Sequence, residues 1–308
     1  MKKKIYKIAA VLTGAVVLVF IAVLTYVPHM IIKDMVNMHV SFSQTFDADD
    51  FGLESQKLML ETEDKLHVAA YYVEADDPKG SVIFISGIHN PSVTAFYGHA
   101  RWMRELGYDS YLLEMRAHGE SEGDVIALGY EETMDVDAVV SHIIEGGDMK
   151  QKPIIVFGLS MGGSVAINAI GNNDDIDGVV SLSAYSAFED SFADNMLMMG
   201  APKAYVALQR PFVKLYTNMK YGWDAGSLSP KIQIERLGDR PALLIHSKGD
   251  DQVPVENLQR ILDKAPEHVL YWEKEGNHHM ILEGEDFLKP WGDREYAERI
   301  ENFLEELN

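Results

Sequence analysis

Apolar runs of strand length recur along most of the chain and alternate with stretches of helical periodicity. The clearest runs are Ser81–Ser86, Ser110–Glu114, Pro153–Phe157, Gly178–Ser183, Pro241–His246 and His268–Trp272. Most are continuously apolar, as strands buried on both faces must be. Between them, Ala95–Leu106, Glu131–Ile144, Met161–Ile170, Val255–Lys264 and Asp293–Leu307 carry helical spacing. That alternation predicts an α/β fold, a doubly wound and mostly parallel sheet covered on both faces. Leu58–Val73 reads instead as an antiparallel hairpin around an acidic turn. The rhythm breaks from Ala184 to Arg240, which offers no clear strand and is rich in Met and aromatic residues. An insertion there, about 184–238, falls above the C-terminal ends of the strands, where a helical lid belongs.

The N-terminus follows another pattern. Lys2, Lys3, Lys4 and Lys7 precede an uncharged apolar run from Ile8 to Val27, long enough to cross a hydrocarbon core of roughly 30 Å as a helix. It exceeds the usual signal-peptide core and leaves through Tyr26-Val27-Pro28-His29, with no small-x-small exit. An uncleaved anchor is the first expectation and a cleaved signal peptide the second. The lysines place the N-terminus in the cytoplasm and the body outside, close to the cell membrane. The expected organisation is lysines and anchor over 1–30, a juxtamembrane linker over 31–54, and the main domain over 55–308. Within the linker, Ile31, Ile32, Met35, Met38 and Phe42 keep an apolar spacing suited to a bilayer surface or to packing on the body.

Charge and composition narrow the partners. The 308 residues carry a formal charge of −21, and setting aside the four leading lysines leaves the body at −25. Such a field repels phosphate backbones and excludes a nucleic-acid binder. The chain has no cysteine, which removes disulfides, zinc–thiolate sites and a thiol nucleophile together.

Candidate chemistry starts at Gly158-Leu-Ser160-Met-Gly162, which follows a strand and opens a helix. A sharp turn there lifts the serine hydroxyl above the sheet, and the helix N-terminus offers N–H groups to a developing oxyanion. Gly119-Glu-Ser121-Glu-Gly123 has the same spacing, but it lies past its strand between two glutamates and reads as a polar loop. A serine nucleophile needs a histidine base and a carboxylate to orient it, in the chain order Ser, acid, His. The loop after His246 holds Asp250 and Asp251, and the loop after Trp272 holds His278 and His279. Spacing alone leaves both pairs open. No third ligand accompanies the paired histidines at a metal-binding spacing, so no metal is expected.

With these residues in view, the chain resembles the α/β-hydrolase superfamily of serine hydrolases over about Leu58–Leu307. It is most similar to the lidded esterase and lysophospholipase-like branch, including membrane-anchored bacterial members. Arg116-Ala-His-Gly119-Glu-Ser is similar to the family's Arg-Gly-His-Gly-x-Ser loop. His246-x-x-x-Asp250-x-x-Val-Pro254 matches its acid loop, and Gly276-Asn-His-His279 its histidine loop. The resemblance therefore implies a triad of Ser160, Asp250 and His279, with the backbone N–H groups of Met161 and Ile88 as the oxyanion hole. It implies no metal or organic cofactor. Ser86-Gly87-Ile88 stands where the family usually has His-Gly, and Ala117 replaces a glycine. The expected activity is that of a carboxylesterase or lipase acting on a small-molecule or lipid ester with a hydrophobic acyl group. A peptidase or amidase on the same triad is the alternative, and a membrane-tethered binding module is the rival from another class. Ser160 disfavours the dehalogenase and epoxide-hydrolase branches, which need an aspartate at that turn.

Overall fold

The computed structural model describes residues 2–146, 152–223 and 225–307. Its eight strands are β1 (Gln56–Glu61), β2 (His67–Val73), β3 (Gly80–Ile85), β4 (Tyr108–Leu113), β5 (Ile154–Leu159), β6 (Gly178–Leu182), β7 (Ala242–Ser247) and β8 (Leu270–Lys274). They form one sheet in the order β1-β2-β4-β3-β5-β6-β7-β8. β2 pairs antiparallel with β1 and with β4, and the remaining pairs are parallel. Ten α-helices accompany it among the described residues: α1 (Lys2–Val36), α2 (Tyr97–Leu106), α3 (Glu132–Glu145), α4 (Met161–Asn172), α5 (Phe188–Met198), α6 (Lys203–Tyr221), α7 (Pro230–Gln233), α8 (Glu256–Leu262), α9 (Glu285–Leu288) and α10 (Arg294–Glu305).

Every residue of β3 to β7 is buried, because both faces of the sheet are covered. Alternate side chains enter different layers. Ile83, Val156, Val179 and Leu244 pack with α3, α4 and α8, whereas Phe84, Phe157, Val180 and Leu243 pack with α2 and α10. This is the period-two alternation of a sheet buried on both sides. The edge strands β1 and β8 are partly exposed and polar.

The insertion between β6 and β7 contains α5, α6 and α7. α5 is tied to the body by charge. Asp194 takes a bidentate pair from Arg260 at 2.6 and 2.9 Å, and buried Asn257 donates to it at 3.0 Å. Asp190 accepts from Ser186 and Lys231 at 2.9 and 2.7 Å and pairs with Arg210 of α6.

α1 does not end where the apolar run ends. It stays helical through Val36, so the first residues of the expected linker belong to the same helix. Among the described residues, α1 is the one helix long and apolar enough to cross a membrane. Its N-terminal two thirds are bare, while Leu24, Ile32 and Val36 are buried against the body and α6. Of the apolar stripe after the span, Ile32 turns inward, while Ile31 and Met38 stay exposed.

Pro28 lies inside α1. Lacking an N–H, it leaves the carbonyl of Leu24 without its helical donor. Gln209 of α6 fills that vacancy: its Nε2 donates to the Leu24 carbonyl at 2.6 Å, and its side chain is buried. His29 packs edge-on against Tyr216 at 5.5 Å, and Lys220 donates to Asn37 at 2.6 Å. The contacts advance along both helices together, so α1 and α6 run in the same direction. Beyond α1, Val40 forms a parallel bridge to His118. His39 sits between the carbonyls of Gly119 and Gly123, 2.9 Å from each. Those two carbonyls hold its pKa above the ordinary value.

Candidate active site

The Gly-x-Ser-x-Gly turn is shaped by crowding. Ser160 joins β5 to α4 at φ 57° and ψ −119°, a conformation that costs a non-glycine residue energy and is typical of strained functional turns. A Cβ on Gly158 would fall 2.0 Å from the carbonyl oxygen of Gly162, and one on Gly162 would fall 2.4 Å from that of Ser86. No larger residue fits at either position without moving backbone. The Ser160 N–H donates to Leu182 at 2.7 Å, which ties the turn to the end of β6. Ser160 is partly exposed, while Met161 begins α4, where backbone N–H groups have no helical acceptor.

The β3 loop passes directly over this turn. A Cβ on Gly87 would lie 3.5 Å from that of Ser160. Next to it, the Ile88 carbonyl accepts from Nε2 of His118 at 2.6 Å.

After β7, Asp250 is buried. One oxygen accepts the N–H groups of Gln252 and Val253, both at 2.9 Å. The other accepts from Nδ1 of His279 at 2.7 Å and lies 3.5 Å from Nε2 of His246. Burial by itself would raise the Asp250 pKa, but hydrogen bonds from His246 and His279 outweigh it and hold the carboxyl well below the usual range. An ionised Asp250 fixes the Nδ1–H tautomer of His279, which leaves Nε2 as a proton acceptor. The neighbours point elsewhere: Asp251 is exposed, and His278 pairs with Glu283 at the surface, 3.1 Å away. The structure thus brings Asp250 and His279 together. Ser160 stands on the same edge of the sheet, at the C-terminal ends of the parallel strands.

The model of the family described as serine aminopeptidase, S33 matches residues 76–232, about half of the chain. The chain belongs to this family of α/β hydrolases. Ser160, α5 and α6 lie inside the matched stretch, whereas Asp250 and His279 lie beyond it. The Bacillus subtilis protein YqkD is 23% identical to the hydrolase over 100% of this chain and 99% of its own length. Among solved structures, the Pyrococcus furiosus esterase Pf2001 is similar with a TM-score of 0.66 and 20% identity, covering 88% of this chain and 98% of that one. The Pyrococcus horikoshii acylaminoacyl peptidase is similar with a TM-score of 0.60 and 18% identity, over 86% of this chain and 44% of that one. These likenesses carry the fold.

Around this site the hydrolase uses residues that sequence reading passed over. Ser183 directly follows β6 at φ 52°, and its hydroxyl donates to the His279 carbonyl at 2.6 Å. Ser247 does the same for the His278 carbonyl, also at 2.6 Å. The histidine loop is therefore pinned by the ends of two neighbouring strands. His118 stood in the quoted Arg116-Ala-His-Gly119 motif, so a signal for it existed. Its ring joins the Arg116 and Ile88 carbonyls at 2.8 and 2.6 Å. Nothing local marked Ser183 or Ser247. Ser121, read as part of a polar loop, is in fact buried. It accepts from Ala69 N at 2.8 Å and donates to the Glu114 carbonyl at 2.5 Å, so it pins β2 to β4. Ala117 stands at φ 61° and is fully buried. Buried Arg116 is neutralised by Asp135, Asp64 and Glu131.

Proposed function

We propose that this α/β hydrolase is a membrane-anchored serine esterase acting on esters with a hydrophobic acyl chain. The observation that carries the reading is the 2.7 Å Asp250–His279 hydrogen bond on the sheet edge that also presents the strained Ser160 turn. In the proposed reaction the Ser160 hydroxyl attacks the ester carbonyl while His279 Nε2 takes its proton. Asp250 holds the ring through Nδ1 and stabilises the imidazolium. The N–H groups of Met161 and Ile88 receive the oxyanion. His279 then protonates the departing alcohol, and water, activated by the same ring, releases the acid from the acyl-serine. All the proton transfers use this chain's own groups.

The acyl preference is argued from the surroundings. Phe188, Phe192 and Val213 of the insertion share one apolar cluster with Met161, the residue after the nucleophile. Ile32 and Val36 at the base of α1 join the same cluster. The anchoring is argued from the bare, apolar N-terminal part of α1.

The test is fluorophosphonate labelling of the full chain in mild detergent, with Ser160→Ala as control. Labelling of the wild type that vanishes in the variant is the expected result, with turnover of p-nitrophenyl esters reduced by on the order of 10⁴. A folded wild type that fails to label refutes the serine mechanism. The family's aminopeptidase description and the acylaminoacyl peptidase likeness favour a second reading, cleavage of amide bonds. Aminoacyl-p-nitroanilides turned over faster than acyl esters would establish it in place of the first.

A further inference from the structure

We infer that the α5–α6 hairpin is a second membrane element, lying in the outer leaflet beside the anchor, with an anionic phospholipid bilayer covering its exposed apolar face. The inference rests on the anchor reading above and extends it from a tether to the insertion over the site.

Helix register places the hairpin at that depth. Gln209 meets Leu24, and Leu24 lies about 4.5 Å inside the end of the Ile8–Val27 run. Because α6 runs in the same direction as α1, the part preceding Gln209 extends back along the apolar run. From Gln209 to Lys203 that is about 9 Å of helix, and the tip of α5 lies beyond it. The exposure of α1 agrees with such a neighbour. Phe20 and Ile21, on the face of Leu24, are each 44% exposed, against 69% for Leu18 and 65% for Val19.

The hairpin has the surface of a lipid-facing segment. Its tip reads Met196-Leu-Met-Met-Gly-Ala-Pro202, without a charge, and Met199 is 88% exposed. Along α6, Leu208, Leu215 and Met219 are exposed on one face, at spacings that keep a helix stripe. A stripe of this size facing water is unfavourable, and it continues from the bare apolar surface of α1. Charge points the same way. The chain has 48 acidic residues, yet none falls within residues 195–223, where Lys203, Arg210, Lys214 and Lys220 all lie. Elsewhere the acidic body is repelled by an anionic leaflet, whereas this one segment is attracted to it.

Such seating would feed the site from the membrane. The buried side of the hairpin carries Phe188, Phe192 and Val213 into the same core layer that holds Met161. The kinetic consequence is that an acyl ester held in the leaflet would meet the insertion beside the site before it meets the acidic body.

Absence of native cysteine makes the test clean. Single nitroxide labels are placed in the full chain at Met199→Cys, at Val16→Cys within the anchor, and at Ser141→Cys on the exposed side of α3. The chain is reconstituted into phosphatidylcholine–phosphatidylglycerol vesicles, and accessibility to oxygen is compared with accessibility to a water-soluble nickel chelate. Positions 199 and 16 are expected to favour oxygen, and position 141 the chelate. If position 16 favours oxygen but 199 favours the chelate, the inference is overturned and the anchor stands. If both favour the chelate, the anchor reading itself fails. Spin–spin broadening at 199 that reports a second copy of the chain also overturns it. A kinetic arm uses the Met198→Asp, Met199→Asp double variant in the same vesicles. Hydrolysis of p-nitrophenyl acetate should stay within about twofold of wild type, while hydrolysis of a vesicle-borne long-chain ester falls at least about tenfold. Equal retention of both activities would refute access through the leaflet.

Discussion

The contact between α1 and α6 can be tested as a coupling energy. Pro28 has no N–H to give the Leu24 carbonyl, and the amide of Gln209 supplies the missing donor at 2.6 Å from a buried position. Gln209→Leu removes that donor and strands a buried carbonyl, at a cost of about 1–3 kcal/mol. Part is offset, because the Gln209 Oε1 is itself buried without a partner and leucine adds apolar contact. A net loss of about 1–2 kcal/mol is expected. In a Pro28→Ala background the new N–H at position 28 stands in register with the Leu24 carbonyl. The glutamine is then redundant, and Gln209→Leu should cost about 0–0.5 kcal/mol. The predicted coupling is therefore about 0.5–2 kcal/mol. The small cavity left by Pro28→Ala cancels in the cycle, since it occurs on both sides. Equilibrium unfolding of the four full-length proteins in one detergent, followed by tryptophan fluorescence, measures it. Equal costs of Gln209→Leu in both backgrounds would refute the account, because the carbonyl would not then depend on Gln209.

Two further outcomes follow from the site. Ser183→Ala removes the hydroxyl that holds the His279 carbonyl, so kcat should fall about tenfold with KM within about twofold, a loss near 1.4 kcal/mol confined to the orientation of the base; an unchanged kcat in steady-state ester hydrolysis would exclude this positioning role. Asp250 makes a pH-dependent contribution to stability. Its folded pKa lies below the ordinary 3.8, so the folded state binds fewer protons. Its stabilisation is complete above about 3.8 and is lost as pH falls through the folded value. The destabilisation caused by Asp250→Asn, read from urea midpoints, should be constant between about pH 5 and 8 and shrink below about pH 4. A difference that grows on acidification would contradict the assigned charge state.

Much of the fold was legible because burial is written locally. β3, β5, β6 and β7 fall within a residue or two of the apolar runs, and α4 starts at the Met161 read from the turn motif. Helix ends were less legible. α8 stops at Leu262, short of the expected Lys264, and α1 runs through Pro28 to Val36 rather than closing with the span. Proline is a poor boundary signal where another helix supplies the donor that it removes.

The sequence by itself determined the class of the sheet, the strand-to-helix serine turn and the apolar N-terminal run. It also put one acid loop and one histidine loop in workable order. These are local properties: a period of two or 3.6, a pair of glycines, a length set against a bilayer. Spacing could not choose between Asp250 and Asp251, or between His278 and His279. The resemblance to a family made that choice, and only tertiary structure shows Asp250 buried on the His279 ring while Asp251 and His278 face water. Tertiary structure also decided that Ser183 and Ser247 hold the histidine loop and that Gln209 closes the break at Pro28. The physical reason is range. A serine hydroxyl on a carbonyl 96 residues away, or an amide on one 185 residues away, leaves no periodicity in the chain, because closure of the sheet alone brings the partners together.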